Sequence, residues 1–557
     1  MTQAALPAAL WRDRLLASPL PWFLLAVVWT WPTALHPISA APGSAHTDVW
    51  ESLWTLWFVA TKLVHGELPI HTGTLLDPNG SLWPSDPLGA LLVMPITLTA
   101  GPAAAWSALV LLSMTFRGWI GSRIGALHAG EPGAPGWTSG AILALAPMAL
   151  SAIHNGASEA LGDTWVLAVV WMGLHWRGGG AWILGAATLL ALCAWAHWYG
   201  GVGAFFAWGV LLLRRRLPSE ARRAFVAAGV IGALLTLPVA WEAKNVSTAH
   251  DNVVGIKAPA ELARLRRNIG PADPAAFVRP APFRSPDFTK ISRYGEDYWH
   301  CPYVGWVGIG LSLLSLRLRK GSRWAWALLP LGVVLAIGPV LTAGGSVVVL
   351  SGRRAIPLPY FLFERLPPFD SLSLLWKLGW ITQIGVALCA AQGAAVVTAW
   401  VEARRGARAA SGQAVTVAAV LLVALEAAAL APTRGLPDHV DASPPAPLVA
   451  LAGEPAGTVM AWPLIGGLPT LYEQVTHGKT LAASLNFPAS RGAWQVVAAV
   501  KNGREGTISV ARRAGIRYVV LHLDAPTTAD ESKLSLSDWD HFPVLAEDRR
   551  LRVLKLW

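Results

Sequence analysis

Apolar residues in this chain come in long runs and not in the short alternations of a water-soluble domain. Runs near 20–35, 88–115, 138–153, 160–175, 181–197, 200–213, 224–241, 303–318, 324–342, 378–400 and 413–430 cross or nearly cross a hydrocarbon layer about 30 Å thick. They predict a helical bundle of about eleven spans, several of them short and Gly-rich. After residue 431 the pattern changes. Pro432, Pro437, Pro444, Pro445 and Pro447 mark a linker. Strand-like runs follow at 458–464 and 516–523, helical ones at 493–500 and 506–514, and a hairpin at 544–554 turning at 547–550. The expected fold is a polytopic α-helical membrane protein with a small C-terminal extracytoplasmic α/β domain. Its bundle covers 1–431, and its soluble domain, long enough to fold alone, covers 432–557.

Composition excludes the soluble class. Of 557 residues, 54% are hydrophobic and only 14% charged, about half the charged fraction of soluble domains. The net charge of +11 invites a nucleic-acid partner, but its distribution argues for a membrane. Basic residues gather in short loops: Arg12 and Arg14, Arg117 and Arg123, Arg177, Arg214 to Arg216 with Arg222 and Arg223, Arg317 to Arg323, and Arg404 to Arg408. The positive-inside rule makes that side cytoplasmic. The long segments 36–87, 242–302 and 343–377, and everything after 431, then lie outside the cytoplasm. The expected partner is membrane lipid, with no nucleic acid. Residues 11–45 also admit a signal peptide, although Trp29, Trp31 and Pro32 suit a retained anchor better. Cys193, Cys301 and Cys389 are too scattered for a disulfide framework or a thiolate metal site. There is no phosphate-binding Gly loop, His–Glu zinc signature or nucleophile elbow.

The first outside loop carries the most chemistry. From Asp48 to about His65 its pattern is that of an amphipathic helix: Asp48, Glu51, Ser52, Thr55 and Lys62 form a polar stripe, and Val49, Trp50, Leu53, Trp54, Trp57 and Phe58 cover the rest. Such a helix suits the interface plane with its Trp side toward lipid. Asp48 and Glu51, at i,i+3, share a face. Two carboxylates so placed can bind a divalent cation, Mg or Mn, or act as a general base. They equally make a capping box, which requires no catalysis. Both readings stay open on spacing alone.

Further residues extend the pattern. Asp48-Val49-Trp50, Trp54, Trp57, Leu63-Val64-His65-Gly66-Glu67-Leu68-Pro69 and Asp77-Pro78-Asn79-Gly80-Ser81-Leu82 together resemble the first periplasmic loop of the type-C glycosyltransferase superfamily. Tyr303-Val304-Gly305, Pro359-Tyr360, Leu366-Pro367-Pro368-Phe369, Tyr472 to Lys479 and Gly515 to His522 fit the same architecture. The resemblance, which covers most of the chain through soft motifs, implies a transferase that takes a sugar from a polyprenyl-phosphate carrier and passes it to a periplasmic acceptor. It implies a catalytic carboxylate at Asp48. Many relatives carry a tighter acidic pair, whereas Val49 and Trp50 separate Asp48 from Glu51, which puts metal dependence in doubt.

A lipid-phosphate donor needs cations at the outer interface. Arg293, Arg353, Arg354, Arg365 and Lys377 are the candidates, and Lys377, at the start of a span, is the most telling. Snorkelling is its alternative role, and a solvated pair that of Arg353 and Arg354. Two polar clusters fall at short outside turns: His154, Asn155 and Glu159, then His197, Trp198 and Tyr199. His154, Glu159, His197 and Tyr199 join the substrate-binding set. His300 with Glu296 and Asp297 suits a solvated surface better than a metal site. Tyr472, Gln474 and His477 are candidates for contacting an acceptor, or for local packing. The competing function is a non-catalytic flippase or transporter of lipid-linked glycan, or an envelope assembly protein. A transporter would carry ionisable groups or paired broken helices at midplane, and few charges fall within the runs.

Overall fold

The computed structural model describes residues 18–70, 86–248, 270–279, 301–317, 323–350, 354–430, 438–464, 469–482, 491–524 and 534–557, except 177, 215–216, 345, 367–368, 406–407 and 502; Ala263, Arg266 and Arg267 are described singly. Five helical stretches among them are long and apolar enough to cross a membrane: Pro102–Ala129, Ala134–His154, Ser219–Glu242, Leu375–Arg404 and Gly412–Ala429. Six shorter apolar helices accompany them. The chain is a multi-pass membrane protein.

Proline and glycine set the helix boundaries in the first half. Helix α1 (Leu20–Trp29) is followed by a short strand β1 (Ala40–Pro42), α2 (Val49–Val64), α3 (Pro87–Ala100), α4 (Pro102–Ala129), α5 (Ala134–Ala144) and α6 (Pro147–His154). Pro87, Pro102 and Pro147 each occupy a first turn, where a missing N–H costs nothing. The run expected as one span at 88–115 is therefore two helices. Gly101, at a φ of 88°, ends α3, and Pro102 cannot continue its hydrogen-bond ladder. In the same way Pro147 splits the run at 138–153. Arg117, expected in a cytoplasmic loop, lies inside α4 because that helix runs on to Ala129. It is buried, its Nε donates to Thr164 Oγ1 at 3.1 Å, and Asp163 is near enough to interact with its charge. A guanidinium stays inside a bundle only with such partners.

The next helices fall close to the expected runs: α7 (Ser158–Leu161), α8 (Asp163–Leu174), α9 (Gly180–Ala196), α10 (Trp198–Leu211), α11 (Ser219–Thr248), α12 (Trp306–Ser315) and α13 (Arg323–Ala336). Two small hairpins follow, β2 (Thr342–Ala343) with β3 (Ser346–Val347), and β4 (Val349–Leu350) with β5 (Arg354–Ala355). Helix α14 (Trp380–Arg405) lies in the middle of the bundle, with Ile381, Ile384, Val386, Leu388 and Cys389 buried. On α11 and on α15 (Arg408–Leu430) the apolar side chains Leu234, Leu237, Leu421 and Leu425 are exposed, as lipid contact requires. Glu426 of α15 caps α12: its carboxylate accepts from Val307 N at 3.0 Å, from Trp306 N and from the Tyr303 hydroxyl.

The C-terminal segment contains β6 (His439–Asp441), α16 (Ala446–Ala452), β7 (Thr458–Trp462), α17 (Thr470–His477), α18 (Arg491–Val500), α19 (Arg504–Arg513), β8 (Ile516–His522), β9 (Val544–Glu547) and β10 (Leu551–Lys555). Its four-stranded sheet has the order β7-β8-β10-β9, with β7 parallel to β8 and the other pairs antiparallel. Strand alternation sends Met460, Val519 and Leu554 into a core with Val496, Trp539 and Phe542. Val459, Val520, Leu551 and Val553 point the other way and join Leu448 and Leu471 in apolar packing continuous with the bundle. Separately, β1 pairs antiparallel with β6, Ala40 opposite Asp441, which ties the segment before α2 to this one.

Candidate functional site at helix α2

Asp48 stands at the N-cap position of α2, half-buried, and Glu51 lies in the first turn, also half-buried. The Asp48 side chain makes no capping hydrogen bond to the helix, so the capping box is not formed. The face expected against lipid is covered by protein: Trp50, Trp54 and Phe58 are 7%, 2% and 1% exposed. Trp50 packs on Tyr472 with ring centroids 5.4 Å apart, and Trp54 Nε1 donates to Gln474 Oε1 at 2.7 Å. The Trp face of α2 is thus packed against protein and not turned toward lipid.

The polar stripe is engaged as well. Ser52 Oγ donates to Gly156 O and accepts from Ser158 N at 3.3 Å. The His154 carbonyl accepts from Ser44 N at 2.8 Å and from Thr47 Oγ1 at 3.1 Å. Gly156 has a φ of +64°, and a Cβ on it would fall 2.2 Å from Val49 Cα. The turn from His154 to Ser158 therefore sits directly against the residue that follows Asp48. His154 is fully buried, with Nδ1 3.4 Å from Asp438 Oδ2, and so serves the junction with the C-terminal segment. Glu159 belongs to α7, but its side chain is outside the described residues.

A second group assembles at the N-terminal end of α14. Lys377 is 8% exposed, with Nζ 5.6 Å from the Tyr199 ring centroid and 6.0 Å from that of Trp376. The Tyr199 ring stacks on His197 at 4.9 Å, and its hydroxyl accepts from Ser373 N at 2.8 Å and Leu374 N at 2.6 Å. Three of the expected substrate-binding residues, His197, Tyr199 and Lys377, are thus together. Snorkelling does not account for Lys377, because a snorkelling ammonium would be exposed on the protein surface. The two groups are linked through the α6–α8 turns. Gly156 abuts Val49, and Asp163 Oδ1 lies 4.0 Å from where a Cβ on Gly200, next to Tyr199, would sit.

Arg266 fixes the loop that carries Lys377. It is buried, its Nε donating to Leu372 O at 2.7 Å, Nη1 to Glu364 O at 2.8 Å and Nη2 to Asp370 O. Arg267 pairs with the Glu364 carboxylate at 2.5 Å. Tyr360 donates to Phe369 O at 3.1 Å, and burial pushes its phenol well above the usual range, so it stays a donor. Neither arginine was singled out from the sequence, since a side chain bonded to carbonyls about a hundred residues away leaves no local pattern.

The remaining candidates are less informative. Arg293, Arg353, Glu296, Asp297 and His300 lie outside the described residues, as does the Arg354 side chain of β5; Arg365 is exposed. Among the described residues no three His, Cys, Asp or Glu side chains converge. Mg²⁺ is held through one or two carboxylates with waters and phosphate oxygens completing its shell, so Asp48 and Glu51 would be the residues to hold such an ion. Tyr472 and Gln474 pack on α2, and His477 Nδ1 accepts from Lys479 N at 3.0 Å, so all three have packing roles.

No protein-family model matches the chain, and no curated protein sequence does. Solved structures do. The mycobacterial arabinofuranosyltransferase AftD superposes at a TM-score of 0.55 and 14% identity, over 98% of this chain and 41% of that one. The oligosaccharyltransferase of Archaeoglobus fulgidus gives 0.46 and 11%, over 90% and 69% of the two chains. ArnT from Cupriavidus metallidurans, bound to undecaprenyl phosphate, gives 0.43 and 13%, over 98% of both. Of these three, AftD passes a TM-score of 0.5 and establishes the likeness. The fold is that of the type-C glycosyltransferases. At such identities the likeness is one of fold, which does not by itself fix an activity.

Proposed function

We propose that this protein is a membrane glycosyltransferase that moves a sugar from a polyprenyl-phosphate donor to an acceptor outside the cytoplasm. The observation that carries the reading is the seating of Asp48. A half-buried carboxylate that makes no capping bond stands at the end of a helix packed against the His154–Ser158 turn. The fold shared with AftD, an arabinofuranosyltransferase, supports the reaction class by analogy. We place the protein in a bacterial inner membrane, N-terminus in the cytoplasm and residues 432–557 as a soluble domain in the periplasm.

In this reaction Asp48 accepts the proton of the acceptor hydroxyl as its oxygen attacks the anomeric carbon. The new carbon–oxygen bond forms as the bond from that carbon to the phosphate oxygen breaks. The polyprenyl phosphate leaves with the bonding pair, and Lys377, beside the Tyr199 and Trp376 rings, offsets its growing charge. Glu51, in the first turn of α2, stands beside Asp48 as the second carboxylate.

The test is reconstitution in proteoliposomes with polyprenyl-phospho-mannose, -glucose or -arabinofuranose, following release of polyprenyl phosphate. Release with one of these donors is expected. Lys377→Met should weaken binding of polyprenyl phosphate about tenfold or more, while Lys377→Arg keeps much of it. Equal affinity in Lys377→Met and the wild type would remove Lys377 from the site.

A further inference from the structure

We propose that Gln474 is a positioning residue: it sets the rotation of α2, and with it the direction of Asp48, from the C-terminal segment. This deepens the reading of Asp48 as the catalytic carboxylate and rests on it. Gln474 is fully buried on α17 with both ends of its amide engaged. Its Oε1 accepts from Trp54 Nε1 at 2.7 Å, and its Nε2 donates to Lys479 O at 3.0 Å. One turn back toward Asp48, Trp50 lies on Tyr472, whose hydroxyl donates to Ala442 O at 3.0 Å, and Trp50 Nε1 donates to Ala45 O at 3.0 Å. Upstream of Asp48, β1 pairs with β6, and Gly43 N donates to Asp438 O at 2.7 Å. Residues 43–54, with Asp48 in their middle, are therefore held at both ends by residues 438–479.

The amide bond is the directional part of this brace. Ring packing alone sets the rotation of α2 loosely, whereas a buried indole N–H aimed at a fixed amide oxygen is directional and weakens as its N–H···O angle falls below about 150°. A carboxylate acting as base must lie within hydrogen-bond reach of the proton it takes, so a turned helix lowers kcat more than it raises KM. The outer segment thus contributes to transfer without touching substrate.

The experiment is amide hydrogen exchange on the full chain in nanodiscs for the wild type, Gln474→Leu, Trp54→Phe and the pair combined. Gln474→Leu leaves a buried N–H and a buried carbonyl unmade, and exchange over residues 49–58 should quicken about tenfold or more, with the bundle unchanged. The combined variant removes the indole N–H too and should recover part of the loss. Should Gln474→Leu fail to fold, Trp54→Phe, which keeps the ring face, carries the measurement. Wild-type exchange over 49–58 in Gln474→Leu, or in Trp54→Phe if that is the folded variant, overturns the brace. Faster exchange with kcat for sugar transfer unaltered overturns the positioning role. Exchange is read without substrate, so it reports on the brace even if no sugar moves. Asp48→Asn, with its brace intact, reports on the transfer reading alone.

Discussion

Gly156 shows how one residue fixes another's place. Its φ of +64° is costly for any side chain, and the Val49 backbone occupies the space a methyl would need. Gly156→Ala should therefore push the start of α2 outward, costing about 2 kcal/mol or more of stability and moving Asp48 with it. Thermal unfolding in detergent checks the first part and transfer the second. An unchanged melting temperature would mean that α2 yields freely at this point. Asp48 itself could be singled out from the sequence, because Asp48 and Glu51 head an amphipathic run. Its capping state could not, since that depends on the side-chain rotamer and not on spacing.

At the scale of elements, α17 and β8 carry an opposed pair of histidines. Burial holds the His477 imidazole down at about 4, against the pull of Glu473, and its Nδ1 already accepts from Lys479 N. The folded value lies below the unfolded 6.5, so the native state prefers the neutral ring. Stability is then lost as pH falls from about 6.5 toward 4, by about 3 kcal/mol at most. For His522, burial alone would lower the value, but Glu473, 3.4 Å away, and Asp524 raise it overall. That contribution is present below about 6.5 and fades as pH rises through the folded value. His477→Asn should flatten the acid limb of a plot of melting temperature against pH and leave the alkaline limb in place. An unaltered acid limb would assign it to other groups.

Elements were the most readable part of the chain. Apolar runs at 160–175, 181–197 and 200–213 became α8, α9 and α10 within a few residues, and the strand-like runs at 458–464 and 516–523 became β7 and β8. What the sequence could not tell is which apolar surface faces protein and which faces lipid, since both solvents are equally greasy to a Trp ring. That is why the Trp face of α2 was expected on lipid and is found on the C-terminal segment. The pairing of Gln474 with Trp54, across 420 residues, and the carbonyl cage of Arg266 leave no local pattern at all.

For the whole molecule, the alternating Arg clusters predict an N-terminus in the cytoplasm and residue 557 outside. A periplasm-active reporter after Trp557 and a cytoplasm-active one after Arg216 should both be active in their fusions. Silence of both would overturn this topology. The central claim is that Asp48 is the base of a sugar transfer. Asp48 makes no capping bond to α2, and Asn has nearly the same size and shape as Asp, so Asp48→Asn should leave stability nearly unchanged. A general base loses its proton affinity in that exchange, and turnover should fall about 100-fold or more. The deciding measurement is the release of polyprenyl phosphate by Asp48→Asn in proteoliposomes, with its melting temperature recorded beside it. Collapse of transfer at a wild-type melting temperature is the predicted result, and transfer at the wild-type rate would contradict the account.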